Sequence, residues 1–255
     1  MTTADLHEHI EAALRSSRGR IVNLTSDGQP VWVKRPRRGP GYTVYALHYG
    51  AAVLLGIKLF RPPRVSRGAS GLAAEARRLA RLQAKGWPVP RVLGVTDHWL
   101  ALSDNGASLG QLTHGLPVPE RSAMLRAAMQ FLQSLHADKG WHGAAQIRNL
   151  TRLPDGFGAI DFEDDLEPSM SLELRQARDI YLFLISAARF AKSDPELVPQ
   201  LLQDALGRAS APVAAEVRSV GAKLAAVDRA LGWLAAHMGR DGPALSAIGK
   251  AFRNL

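Results

Sequence analysis

The chain contains no cysteine. That excludes a disulfide framework, a zinc-thiolate site and thiol chemistry, and it fits a reducing compartment. No run reaches the roughly 20 apolar residues that a membrane-spanning helix needs. The opening stretch MTTADLHEHIEAALRSSR has no apolar core, so no signal peptide is read there. No internal repeat and no low-complexity linker interrupts the chain. Zinc-binding, helix-turn-helix and RNA-recognition signatures are also missing, which argues against nucleic acid as the partner. Acidic residues are absent from Gly28 to Ala74.

What is present is an ordinary globular composition with a skewed charge. At 255 residues, 46% hydrophobic and 22% charged, the chain has enough material for one large domain or two lobes. Net charge is +9. The acid-free stretch carries Lys34, Arg35, Arg37, Arg38, Lys58, Arg61, Arg64 and Arg67. Such a balance implies an anionic partner, whether nucleic acid, membrane surface or phosphorylated substrate. The plain alternative is a solvated basic face.

Local patterns give the element order. Residues 4–15 have weak helical periodicity. Ile21–Leu24 and Val31–Lys34 read as strands joined by the Asp27-Gly28 turn. Residues 70–86 read as a helix capped by Ser70 and ended by Gly86. Residues 90–104 read as two short strands turning near Thr96-Asp97. A long amphipathic helix follows over 119–140. TRLPDGFGAIDF reads as a short hairpin turning at Pro154-Asp155-Gly156. Helices follow at about 171–192, 194–209 and 211–238, then a short tail. The order is α+β: a β-rich part with one helix, then a helical part, divided near 105–113.

Several short motifs lie in that frame. VWVKRP puts Lys34 at a strand end, where a lysine is usually only solvated and contributes little to a core. AAEARRLARL puts Glu75 early on the next helix, where a carboxylate favours the helix dipole in any case. LHADKGWHG leads into HGAAQIRN, which runs from His142 to Asn149. IDFED places Asp161 after an apolar strand and Glu163 two residues on, and QARDIYLFL carries Asp179 on the following helix. In order and spacing these motifs resemble the protein-kinase-like superfamily, particularly the small bacterial lipopolysaccharide core (heptose or Kdo) kinases and aminoglycoside-phosphotransferase-like enzymes. The resemblance covers roughly residues 15–190.

The resemblance implies a two-lobed protein-kinase-like fold, with an N-lobe over 1–104 and a helical C-lobe over 105–255. It implies ATP and Mg²⁺ as cofactors. Lys34 would pair with the nucleotide phosphates and Glu75 would hold Lys34. Loop 142–149 would be the catalytic-like loop, contributing His142 and the metal ligand Asn149. Segment 161–163 would supply the metal ligands Asp161 and Glu163, and Asp179 would hold the loop backbone. "IDFE" in place of the usual Asp-Phe-Gly also occurs in choline-kinase-like enzymes.

Two departures stand out. The glycine-rich loop is reduced to SSRGR, where Gly19 and Arg18 or Arg20 are the only candidates for cradling phosphate. The aspartate of the catalytic loop is Ala144. Because phosphoryl transfer depends mostly on positioning and charge neutralisation, the proton acceptor is expected elsewhere: Gln146 orienting the hydroxyl, or Glu163, Asp164 or Asp165 taking the proton. A pseudokinase that binds nucleotide as a regulatory module is the alternative. A Ser/Thr protein kinase is a second one, since fold does not fix substrate.

Forty residues separate Lys34 from Glu75, about twice the usual kinase spacing. The excess, 36–68, includes an apolar stretch at 42–60 with three of the four tyrosines. It reads either as extra N-lobe structure or as an interfacial segment on an anionic membrane through 35–67. The second reading gives a cytoplasmic enzyme, peripheral on the inner face of the inner membrane, that phosphorylates a lipopolysaccharide core sugar or lipid-linked hydroxyl.

Overall fold

A computed structural model describes residues 3–37, 59, 68–164, 166–167, 169–231 and 241–254. The chain divides into two compact units. One comprises Met1–Gly41, Arg64–Gly106 and Thr151–Asp165, and the other Tyr42–Pro63, Ala107–Leu150 and Leu166–Leu255.

The first unit is built on a four-stranded antiparallel sheet in the order β1-β2-β4-β3. Strands β1 (Ile21–Ser26) and β2 (Gln29–Lys34) form the expected hairpin. Its turn residues Asp27 and Gly28 both have positive φ, 50° and 73°, the geometry that matches strand twist. Strands β3 (Val92–Val95) and β4 (Leu100–Ser103) complete the sheet. Helix α1 (Thr3–Ser16) lays Leu6, Ile10, Ala13 and Leu14 across one sheet face, over Val22, Val31, Val33, Trp99 and Ala101. Alternation along β2 therefore turns Trp32 and Lys34 to the other face. Helix α2 (Ala69–Ala84) packs against β3 and β4 with the stripe Leu72, Glu75, Ala76, Leu79 and Leu82. It starts one residue earlier than expected. Gly68 (φ 66°) is its N-cap and Ser70 lies within the first turn, so the expected serine cap is corrected. Gly86 ends it at φ 80°, as the sequence indicates.

A second hairpin, β6 (Leu150–Leu153) and β7 (Gly156–Ala159), follows the two-residue strand β5 (Ala107–Ser108) in the chain. Its exit is pinned. The Ala159 amide donates to the Pro88 carbonyl (3.1 Å), and Asn105 Nδ2 donates to the carbonyls of Pro88 and Ala159. A Cβ at Gly158 would fall within 2.9 Å of Asn105, Thr151 and Pro88, so only glycine fits this crossing.

The second unit is helical: α3 (Leu109–Leu112), α4 (Val118–Ala137), α5 (Leu172–Ala187), α6 (Leu197–Arg208), α7 (Ala211–Leu231) and α8 (Asp241–Arg253). Helix α4 packs on α6, α5 on α7, and α7 on α8. The stretch expected as a short tail is α8. Ala244, Ile248 and Ala251 line its buried face, and Pro243 sits in its first turn, where proline is tolerated. Tyr181 lies at the centre of this packing. Its hydroxyl donates to the Val217 carbonyl (2.8 Å), and its ring lies against Phe252. Burial pushes the Tyr181 phenol well above its ordinary value, so it stays protonated.

Candidate active site

Lys34 is not the solvated strand-end lysine that composition suggests. It is 7% exposed, and its Nζ donates to Glu75 Oε1 and Asp161 Oδ1, each at 2.7 Å. The three residues come from β2, α2 and the exit of β7, all within the first unit. Moving an ammonium out of water costs several kcal/mol, which only well-placed carboxylates offset. Burial is the strongest influence on Lys34 and pulls its pKa down. The charges of Glu75 and Asp161, with their hydrogen bonds, more than reverse this, and the pKa ends above its ordinary value. Burial likewise dominates at Glu75 and raises its pKa, with Lys34 opposing. One ammonium thus serves two carboxylates, and at Glu75 burial outweighs it.

Asp161 is the accessible corner, its side chain 30% exposed. Its φ is 67°, a left-handed conformation that costs a non-glycine residue roughly 1–2 kcal/mol. Strain of this kind persists where surrounding structure over-determines it, and it concentrates at functional sites. The surroundings here are the pinned β7 exit and Arg78, which donates to the Asp164 carbonyl at 3.1 Å and stacks over Phe162.

Glu163, expected as a metal ligand, is committed to two guanidiniums: Arg20, and Arg37 at 2.8 Å. Among the described residues no cluster of three or more His, Asp or Glu side chains is arranged to hold a metal ion. Of the glycine-loop candidates, Arg18 is exposed. The Gly19 amide donates to Ser17 Oγ (3.2 Å), and its carbonyl accepts from Arg35. Arg35 also binds the carbonyls of Leu14 and Ser17, so it closes this loop onto the end of α1. Arg20, the other candidate in that loop, is the residue brought to Glu163. Arg37, expected at a membrane surface, pairs with Glu163 instead, a contact with no local signal in the sequence. The other insertion residues, Arg38, Lys58, Arg61, Arg64 and Arg67, and the stretch 42–60 apart from Leu59, lie outside the described residues, as does Asp165.

In the second unit the loop of His142, Gln146 and Asn149 is held from beneath. Asp179, fully buried on α5, accepts the backbone N–H groups of His142 and of Gly143 (2.6 Å), and it meets His136 Nε2 at 3.1 Å. Burial would raise the Asp179 pKa and is its largest influence. The His136 contact, with the His142 amide and charge, outweighs burial and leaves the carboxyl below its ordinary value. Gln176, one turn earlier on α5, donates to the carbonyls of His136 and Gly140. His142 is buried, and its Nδ1 accepts the Ala144 amide at 3.3 Å. The Ala144 carbonyl accepts from the Gln146 amide (2.7 Å) and from Asn149 Nδ2 (2.8 Å). The loop is therefore folded around the backbone of Ala144, which needs no carboxylate to keep this shape. His136 and Gln176 had no motif to mark them, although Gln176 and Asp179 lie three apart on one helix face.

No family model matches the chain, and no curated protein matches it. Solved structures similar along nearly its whole length include the gentamicin complex of APH(2″)-IIa, at 14% identity and TM-score 0.46, covering 99% of this chain and 96% of that one. An aminoglycoside-3′-phosphotransferase of type VIII follows at 18% identity and TM-score 0.44, covering 96% and 100%. The streptomycin–ATP ternary complex of APH(2″)-IIa gives 13%, TM-score 0.39 and 98% of each chain. The chemical assignment rests on this chain's own residues.

Proposed function

We propose that the protein is an ATP- and Mg²⁺-dependent phosphotransferase acting on the hydroxyl of a membrane-associated acceptor. The observation that carries the phosphotransferase reading is Lys34, buried and bridging Glu75 and Asp161 at 2.7 Å each. A purely structural ion pair needs one carboxylate. Here a second, partly exposed one shares the ammonium at a strained backbone position. In this reading Lys34 turns from Asp161 toward phosphate oxygens when nucleotide binds, and Glu75 keeps it in place. Arg20 and Arg37, parked on Glu163, supply the charge that the absent glycine-rich loop would otherwise provide.

Magnesium uses hard oxygen ligands and is typically held by one or two carboxylates plus substrate phosphates. The carboxylate of Asp161 fits that chemistry, whereas Glu163, already held by Arg20 and Arg37, does not. Bound magnesium would neutralise developing charge on the transferred group. Asn149 keeps its proposed metal role by its amide oxygen, since its NH₂ group is spent on Ala144. Gln146 is the proposed partner of the acceptor hydroxyl.

The membrane half of the reading is supported by the acid-free, basic composition of 28–74 and its apolar centre. Arg35 and Arg37 bind within the protein, so this support rests on Arg38 to Arg67. The location proposed with it is the inner face of the inner membrane. No described helix is long and apolar enough to cross a membrane. One observation favours a second reading: Ala144 in place of the loop carboxylate fits a nucleotide-binding regulator. Single-turnover transfer of the ATP γ-phosphate to a lipid or sugar acceptor separates the two. Transfer that stops with EDTA supports the enzyme. Mg²⁺-dependent ATP binding with no transfer or hydrolysis supports the regulator. No ATP binding at all removes both.

A further inference from the structure

The second unit contains an open cleft of about 1110 Å³ that the reading above uses only at one edge, through Gln146. Its walls are the loop around 146–148, the end of α5, the start of α6 and one face of α8. Four cations line it: Arg148, Arg189, Lys192 and Lys250, against one carboxylate, Glu196. All four are exposed, and among the described residues none lies within ion-pairing distance of a carboxylate.

Elsewhere in the unit some cations have carboxylate partners, while others among the described residues, such as Arg208, Arg218 and Arg229, are exposed with none at ion-pairing distance; what sets these four apart is that they line one cleft. Arg126 is paired with Asp204, Arg175 with Glu167 and Arg253 with Asp228. A basic protein has cations everywhere, but a solvated basic face spreads them over convex surface. Here four from three segments, Arg189 and Lys192 sharing one, converge on one concavity, where low-dielectric walls strengthen their mutual repulsion. Arg148 is held there by its backbone: Ser108 Oγ donates to its carbonyl at 2.7 Å. Arg189 lies over the Phe190 ring at 4.9 Å. Partial burial holds the Arg189 guanidinium below its ordinary value.

The geometry points to an acceptor that carries a phosphate or carboxylate group, bound in this cleft by Arg148, Arg189, Lys192 and Lys250 with its hydroxyl toward Gln146. The inference deepens the phosphotransferase reading and rests on it for the word acceptor; the anion site itself does not depend on nucleotide. The cleft is large enough to admit a sugar-sized ligand. Its charge is opposite to what a polycationic aminoglycoside requires. Guanidinium groups add bidentate geometry for phosphate or carboxylate, so Arg148 and Arg189 select the anionic group while the lysines add point charge.

The test is calorimetry on the full chain, without nucleotide, against glucose 6-phosphate, glucuronate, glucose and kanamycin. The expected result is that at least one anionic sugar binds with Kd below about 1 mM, that glucose and kanamycin bind at least tenfold more weakly, and that salt weakens the anionic binding. The triple variant Arg189→Glu, Lys192→Glu, Lys250→Glu should lose anionic binding at least tenfold and gain kanamycin binding. These side chains are exposed, so its melting temperature should stay close to that of the parent. Should the triple variant misfold, Arg148→Gln alone must still weaken anionic binding. Competition by phosphatidylglycerol vesicles, not by phosphatidylcholine, assigns the anion to a lipid headgroup; its absence assigns it to a free molecule. Both leave an anionic acceptor standing. Glucose or kanamycin binding as tightly as the anionic sugars overturns the inference, and so does anionic binding unchanged in a folded variant or no binding of either anionic sugar. If the anionic sugars bind but Mg²⁺-ATP does not, the cleft stands and the phosphotransferase reading falls.

Discussion

Lys34 and Asp179 are two buried charges solved in opposite ways, and each gives a measurable consequence. Removing Lys34 strands Glu75 and Asp161 beside each other with no cation between them. Breaking a buried pair in this way typically costs about 3–5 kcal/mol. Lys34→Ala should therefore lower stability by that order in urea melts and weaken Mg²⁺-ATP binding at least tenfold. Sequence reasoning, which saw a strand-end lysine, expects only the second effect. A Lys34→Met, Glu75→Gln double variant should recover part of the stability but none of the binding. Full recovery of both would make the lysine purely structural.

Asp179 accepts two backbone N–H groups and the His136 contact in a fully buried setting. Its folded pKa lies below the ordinary carboxylate value. The unfolded chain then binds a proton more readily than the folded one, so this group's contribution is complete above about pH 4. It is lost as pH falls from there through the folded value. Asp179→Asn should reduce stability at neutral pH by about 1.5–3 kcal/mol, the scale of a hydrogen bond to a charged group. It should also flatten the acid limb of the stability curve below about pH 4. An unaltered acid limb would show that another carboxylate governs it.

At the scale of elements, the hairpins and α2 were legible because their punctuation is local. Asp27-Gly28, Pro154-Asp155-Gly156 and Gly86 fix chain direction through backbone preferences that need no distant partner. The convergence of Lys34, Glu75 and Asp161 was legible for a different reason: the order and spacing of the motifs resemble a known family. What stayed hidden depends on long-range contact. Ser70 reads as a cap, but Gly68 takes that place at positive φ. The SSRGR loop reads as a phosphate cradle, but Arg35 closes it and Arg20 crosses to Glu163. The segment after 240 reads as a tail, yet its apolar stripe finds α7. That packing is tight at Gly221, where an added Cβ would come within 2.4 Å of the Phe252 ring. Gly221→Ala gains up to about 1 kcal/mol of helix propensity, while overpacking costs about 1–3 kcal/mol. The clash should win, and denaturant melts should show net destabilisation. A stabilised variant would mean that α8 gives way at little cost.

For the whole molecule, the account joins a basic chain to anionic ligands twice: nucleotide phosphate in the first unit and an anionic acceptor in the second. A ligand that binds only the folded state stabilises it by about 2.7 kcal/mol at a hundred times its Kd. Mg²⁺-ATP should therefore raise the melting temperature by several degrees, and EDTA should cancel most of the rise. An ATP-induced shift of equal size with and without Mg²⁺ would remove the metal role given to Asp161.

The most direct test of the central claim is calorimetric titration of Mg²⁺-ATP into the parent protein and into Asp161→Asn. The substitution keeps size and leaves Lys34 paired with Glu75, so the fold should survive, as a matching near-UV spectrum would verify. The account predicts Mg²⁺-dependent binding by the parent and loss of that dependence in the variant. Equal Mg²⁺-dependent affinity in the two proteins would contradict it.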